Sequence, residues 1–160
     1  MVKTNAMRLL DSAGISYTAA EYEVDEEDLS GIHAAESSGI PAERMFKTLV
    51  LRGASREYSV FCIPVAEELD LKKAARAAGE KKIDLIPMKD LLSVTGYVRG
   101  GCSPIAMKKQ FPTFIDETAE LFDTLAVSGG MRGIQILLSP RDLIAFTAAV
   151  TGDFTVLRGT

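Results

Sequence analysis

The sequence predicts a mixed α+β domain, built on one sheet or a partly closed barrel with helices packed around it. Three observations lead there. Runs rich in β-branched and aromatic residues at 45–51, 58–65, 113–116, 124–128 and 133–138 read as strands. Helical patterns lie between and around these runs without the regular alternation that a doubly wound parallel sheet requires. The 160 residues, 47% of them hydrophobic, suit one well-formed core and contain no repeat, low-complexity linker or break in composition. Residues 1–160 are therefore expected to form a single domain.

In chain order, residues 5–13 read as a helix with Met7, Leu10 and Ala13 on one face and Gly14 as its stop. Residues 15–23 are expected to be extended. Ser30 is placed to cap a short helix over 32–37, which Gly39 and Pro41 end before another short turn. The apolar runs 45–51 and 58–65, split by a polar segment containing Gly53, predict a hairpin. Residues 71–78 and 87–94 carry amphipathic helical patterns, the second with Pro87 in its first turn, where a missing N–H costs least. After the strands at 113–116, 124–128 and 133–138, Ser139 and Pro140 open a helix expected to run from Leu143 to Val150.

Composition limits the chemistry. A charged fraction of 25% is ordinary for a soluble chain, and no apolar run approaches the ~20 residues of a membrane span. The first residues lead straight into an amphipathic pattern rather than a secretory signal, so the expected compartment is the cytoplasm. Cys62 and Cys102 form no C-x-x-C pair and are expected to be free thiols. With His33 the sole histidine, the usual zinc ligand sets are not available, and neither a metal nor another cofactor is expected. A formal net charge of −4 argues against holding nucleic acid by bulk electrostatics. The basic residues Lys72, Lys73, Arg76, Lys81, Lys82, Lys108 and Lys109 are solvated helix faces or, folded together, a phosphate-contacting rim.

The segment 96–109, GYVRGGCSPIAMKK, concentrates glycines, a proline and paired lysines in a stretch too irregular for core. Such a loop exposes backbone N–H and C=O groups to a polar ligand. It lacks the P-loop pattern and the Rossmann glycine spacing. Cys102 lies within it, but a cysteine nucleophile needs a base, and nothing in the sequence brings His33 beside it; a small packing residue is the simpler reading. Cys62, inside an apolar strand, reads as core. Ser128, Gly129 and Gly130 follow a strand and read equally as a hairpin turn and as a second ligand-facing loop. Lys47 stands between Phe46 and Thr48 in an apolar strand, where lysine is uncommon. Strand alternation favours pointing it to solvent; the other reading projects its ammonium into a pocket toward a carbonyl, ribose or phosphate oxygen.

Taken together, FKTLV at 46–50, LDLKKAA at 69–75, GYVRGGCSPIAMKK at 96–109 and VSGGMRGIQI at 127–136 resemble, in this order, the YbaK/EbsC family of aminoacyl-tRNA deacylases. The likeness runs from the first helix to the last. It implies the fold of that family, shared with the editing domain inserted in bacterial prolyl-tRNA synthetases. It also implies roles. Lys47 and Gly101 would be catalytic, with Lys47 at the 3′-terminal adenosine or the ester. Gly100, Cys102, Ser103 and Pro104 would form the G-x-x-x-P loop around the aminoacyl group. Tyr22, Ser128, Gly129 and Gln135 would complete the substrate pocket. Gln135 falls where some relatives carry aspartate and Cys102 where some carry an aliphatic residue, differences that bear on substrate choice.

What the resemblance implies about activity is trans-acting editing of mischarged Cys-tRNA(Pro), and of Cys-tRNA(Cys), in which the substrate's thiol attacks its own ester and leaves as a cyclic thiolactone. No enzyme nucleophile is then required, because positioning can supply an effective molarity of roughly 10⁵ M or more. The expected partners are the aminoacyl-tRNA acceptor end and, in a ternary complex, prolyl-tRNA synthetase. Two other readings stand beside it: hydrolysis of another small mischarged residue such as alanine, and a non-catalytic module that binds tRNA ends or nucleotides.

Overall fold

A computed structural model describes residues 1–157; the last three residues of the expected 1–160 domain lie outside the described residues. The chain runs α1 (Asn5–Ser12), β1 (Tyr17–Glu21), α2 (Gly31–Ser38), β2 (Phe46–Gly53), β3 (Tyr58–Pro64), α3 (Leu71–Ala78) and β4 (Ile83–Leu85). It continues through α4 (Leu91–Thr95), β5 (Thr113–Asp116), β6 (Leu125–Ser128), β7 (Ile134–Leu138), α5 (Pro140–Thr147) and β8 (Val150–Gly152). Three single 3-10 turns, at Ala42–Arg44, Met88–Asp90 and Glu117–Leu121, join them.

The strands form two sheets rather than one. A five-stranded mixed sheet has the order β4-β2-β3-β5-β8, and a three-stranded antiparallel sheet the order β1-β7-β6. A parallel bridge from Met45, just before β2, to Ala126 in β6 ties them together. The result is a partly closed barrel whose seam opens along β2. Pairing with β4 reaches only Leu51 to Gly53, which leaves the edge from Phe46 to Leu49 without a ladder partner on that side.

That seam is what positions the site. Phe46, Val50, Val60 and Cys62 turn one face of the five-stranded sheet toward the largest core cluster, shared with Ile134, Ile136 and α1. The opposite face carries Leu51, Phe61 and Ile63 under α3. There Phe61 stacks on Phe114 at 4.6 Å, and the Phe154 ring meets both edge-on; such pairs contribute about 0.5–1.5 kcal/mol each beyond burial. A third cluster joins Ala34 and Ala35 of α2 to Met45 and Ala126, covering the outer face of the three-stranded sheet.

Local chemistry explains the helix ends. The Ser30 hydroxyl accepts from His33 N–H at 3.2 Å and Gly39, at φ 73°, closes α2. The Asp70 carboxylate accepts from both Lys72 and Lys73 N–H, and Gly79 closes α3, so this helix has the bounds its pattern predicts. Other expectations need correction. In α1 the buried stripe is Ala6, Met7 and Leu10, whereas Ala13 is the exposed C-terminal cap. The helix expected over 87–94 is split: Pro87 stays extended at ψ 140°, a 3-10 turn follows, and α4 starts at Leu91. Ser139 sits before α5 but makes no side-chain cap, and the helix ends at Thr147 because Ala148 turns left-handed at φ 54°. Val150 then belongs to β8, and β4 is a further strand the sequence pattern does not announce.

Candidate functional site

Where the seam opens, a cavity of about 420 Å³ lies between the β2 edge, the outer face of the three-stranded sheet, the start of α2 and the glycine-rich loop. β2 contributes Phe46 to Val50, and Met45 stands at its entry. Across from it, Ser128 and Gln135 are paired residues of the β6–β7 hairpin, and Tyr22 follows β1. Arg99, Gly100 and Cys102 come from the loop; Leu85, Ile86, Met88 and Leu91 close the side next to β4.

Lys47 lines this cavity and is half-buried. Burial pushes its ammonium below the ordinary lysine pKa of 10.5, opposed by the negative charges of Glu67 and Glu68. Among the described residues that line the cavity, cations are present at Lys47 and Arg99 and no Asp or Glu occurs. The interior therefore favours developing negative charge over positive.

Both thiols are held protonated. Burial pushes Cys62 and Cys102 up to about 12, with the Thr48 and Thr95 hydroxyls opposing it. Cys102 lines the cavity together with Lys47 and Arg99, yet burial rather than either cation decides the state of its thiol. His33 is hydrogen-bonded to the Ser37 hydroxyl at 3.1 Å and does not line this cavity. Among the described residues, no group of three His, Cys, Asp or Glu stands close enough to hold a metal ion. No helix among them is long and apolar enough to cross a membrane.

Of the residues singled out from the sequence, Tyr22, Lys47, Gly100, Cys102, Ser128 and Gln135 meet at the cavity. Gly101, Ser103, Pro104 and Gly129 stand behind its wall. Gly101 is buried against the backbone of Met131, where an added Cβ would lie 3.1 Å from Met131 Cα. Ser103 is fully buried, its hydroxyl accepting from Ile105 N–H at 3.2 Å. Pro104 faces a separate depression of about 120 Å³ beside Phe111 and Phe146. Gly129 N–H donates to Ile134 C=O at 2.8 Å, closing the hairpin.

Two struts hold the loop against the hairpin. The Tyr97 hydroxyl donates to Ile105 C=O, and its ring lies over Gly130. The Arg132 Nε–H donates to Arg99 C=O at 2.8 Å. Sequence reasoning missed Arg99, Thr48 and the apolar wall of Leu85, Ile86 and Met88. Arg99 was within reach, being next to Gly100; the wall was not, because it exists only through the pairing of β4 with β2.

A family model described as an aminoacyl-tRNA editing domain matches residues 27–146. The chain is 46% identical over 153 residues to EbsC of Enterococcus faecalis (strain ATCC 700802 / V583), a protein proposed to be a Cys-tRNA(Pro)/Cys-tRNA(Cys) deacylase, covering 96% of this chain and 93% of that one. Among solved structures, a proposed trans-editing enzyme for prolyl tRNA synthetase superposes with a TM-score of 0.81 at 22% identity, covering 98% of this chain and 100% of the other. A structure from work on grafting epitopes onto scaffold proteins gives 0.84 at 22% identity, covering 96% of each chain. The two structures are similar in fold. Because the model match spans most of the chain and the bacterial relative extends that likeness to nearly its whole length, the chain belongs to the aminoacyl-tRNA editing domain family.

Proposed function

We propose that residues 1–160 act as one free-standing editing unit that deacylates cysteinyl-tRNA(Pro), and cysteinyl-tRNA(Cys), in the cytoplasm. One observation carries the reading: the cavity offers cations and backbone groups to an ester, while no histidine or carboxylate in its lining could activate a hydroxyl or thiol to attack it. The Cys102 thiol is held up at about 12, and His33 is outside. A substrate that brings its own nucleophile suits such a pocket. The similarity to EbsC supports the same substrate class.

In this reading the 3′-terminal adenosine enters past Arg99 and Met88, and the aminoacyl group lies between Gly100 and Ser128. The cysteinyl sulfur attacks the ester carbonyl carbon; a C–S bond forms, the bond from that carbon to the ribose oxygen breaks, and the thiol proton ends on the ribose oxygen. The products are tRNA and a thiolactone. Lys47 stabilises negative charge on the reacting sulfur and carbonyl oxygen. Gly100 and Gly101 let the loop backbone approach the ester. The chain's net negative charge implies weak, salt-sensitive contact with tRNA alone, so a ternary complex with prolyl-tRNA synthetase is the proposed setting.

The test is loss of the aminoacyl bond from Cys-, Ala- and Ser-tRNA(Pro), with Lys47→Ala as control. Selective loss from Cys-tRNA(Pro) is expected. Equal cleavage of Ala-tRNA(Pro) would replace the thiol mechanism by hydrolysis, and no cleavage of any would leave a binding module.

A further inference from the structure

Among the described residues, three buried side-chain atoms have no hydrogen-bond partner: Arg44 Nε, Ser59 Oγ and Gln135 Oε1. Only Gln135 lines the cavity. It is 5% exposed, deeper than Ser128 at 9%, its neighbour across the hairpin. A buried carbonyl oxygen without a donor costs free energy, and its persistence on a pocket wall points to a donor that arrives with the ligand.

We propose that the Gln135 side-chain carbonyl accepts a hydrogen bond from the α-amino group of the bound aminoacyl ester, and so selects α-amino acids over acyl groups that lack the amine. The identity of the donor follows from depth. The adenosine stays tethered to the tRNA and must occupy the mouth, where Met88, Leu85 and Ile32 are exposed. The innermost polar group then meets the part of the substrate that penetrates furthest, the aminoacyl end. Because no Asp or Glu lines the cavity, Gln135 Oε1 belongs to the most buried of the oxygen-bearing side chains the amine can meet there. An amide accepts without adding a negative charge, which would repel a thiolate forming nearby.

The inference rests on the deacylase reading for its substrate, but the test separates the two. Binding is measured for non-hydrolysable 3′-amido adenosines carrying cysteinyl or 3-mercaptopropionyl, which differ by the α-amine alone. Wild-type protein is expected to prefer the cysteinyl analogue by about 10- to 100-fold, the range for a charge-assisted hydrogen bond. Gln135→Leu brings the ratio near one, and Gln135→Glu, of matched shape, keeps or widens it and serves if the leucine variant does not fold. A wild-type ratio near one, or a ratio that survives Gln135→Leu, overturns the inference while deacylation of Cys-tRNA leaves the enzyme reading intact. An amine preference without any deacylation does the reverse, and binding of neither analogue overturns both.

Discussion

Gly101 lies directly against Met131, backbone to backbone, so that the glycine-rich loop and the β6–β7 turn form one continuous wall behind the cavity. Gly101 is required here for closeness, whereas its neighbour Gly100 is required for conformation, at φ 85°.

Gly101→Ala is therefore expected to push the two loops apart. Overpacking of this kind costs about 1–3 kcal/mol, and because the loops need give by only a fraction of an ångström, turnover is expected to fall by less than the roughly 10²-fold of a full 1 Å displacement. Urea unfolding and the deacylation rate measure the two effects; a variant with wild-type stability and rate would show that the contact is loose.

Lys47 is expected to trade stability for activity. Its pKa is lowered in the folded state, so the unfolded chain binds more protons between the two values and wild-type stability rises with pH toward 10.5. Lys47→Met removes the penalty of burying the ammonium. The variant is expected to melt higher than wild type at pH 7, with the gap closing as pH rises through 10.5, while deacylation falls by about 10²-fold or more. Thermal melts from pH 7 to 11 check the sign.

Neither thiol is expected to react in the folded protein. With Cys62 and Cys102 both pushed up to about 12, labelling with a disulfide reagent at pH 8 should be slow until denaturant is added, when two thiols per chain react. Rapid labelling of Cys102 in native protein would contradict its half-buried, protonated state.

Tyr97→Phe removes the donor to Ile105 C=O and leaves a buried carbonyl unpaired, at a cost of about 1–3 kcal/mol. Because the same ring covers Gly130, the loss should loosen both walls and raise KM more than it lowers kcat. Hydrogen exchange across residues 96–109 is expected to accelerate, and unchanged protection there would remove Tyr97 as a strut.

Much of this was legible where short-range chemistry decides. α3 has its predicted bounds because Asp70 and Gly79 mark its ends, and β2 with β3 follows from two apolar runs around a polar turn. β4 was not legible: of its three residues only Ile83 is buried, and it is a strand because Leu51 to Gly53 pair with it. Nor was the end of α5, where an alanine rather than a glycine adopts the left-handed turn. At the site, strand alternation alone favours pointing Lys47 to solvent. The cavity it borders arises from the gap between the β4 pairing and the Met45–Ala126 bridge, a tertiary feature with no local signature. Resemblance marks Gln135 as a pocket residue, but its unpartnered oxygen is visible only in the fold.

In the proposed reaction the substrate's own thiol opens the ester in this cavity. This step is tested most directly by comparing deacylation of cysteinyl-tRNA(Pro) with that of S-methylcysteinyl-tRNA(Pro), whose sulfur cannot attack and whose extra methyl the cavity of about 420 Å³ accommodates. Methylation is expected to slow cleavage by about 10³-fold or more, the loss that follows when an intramolecular nucleophile is removed. Equal rates for the two esters would contradict it.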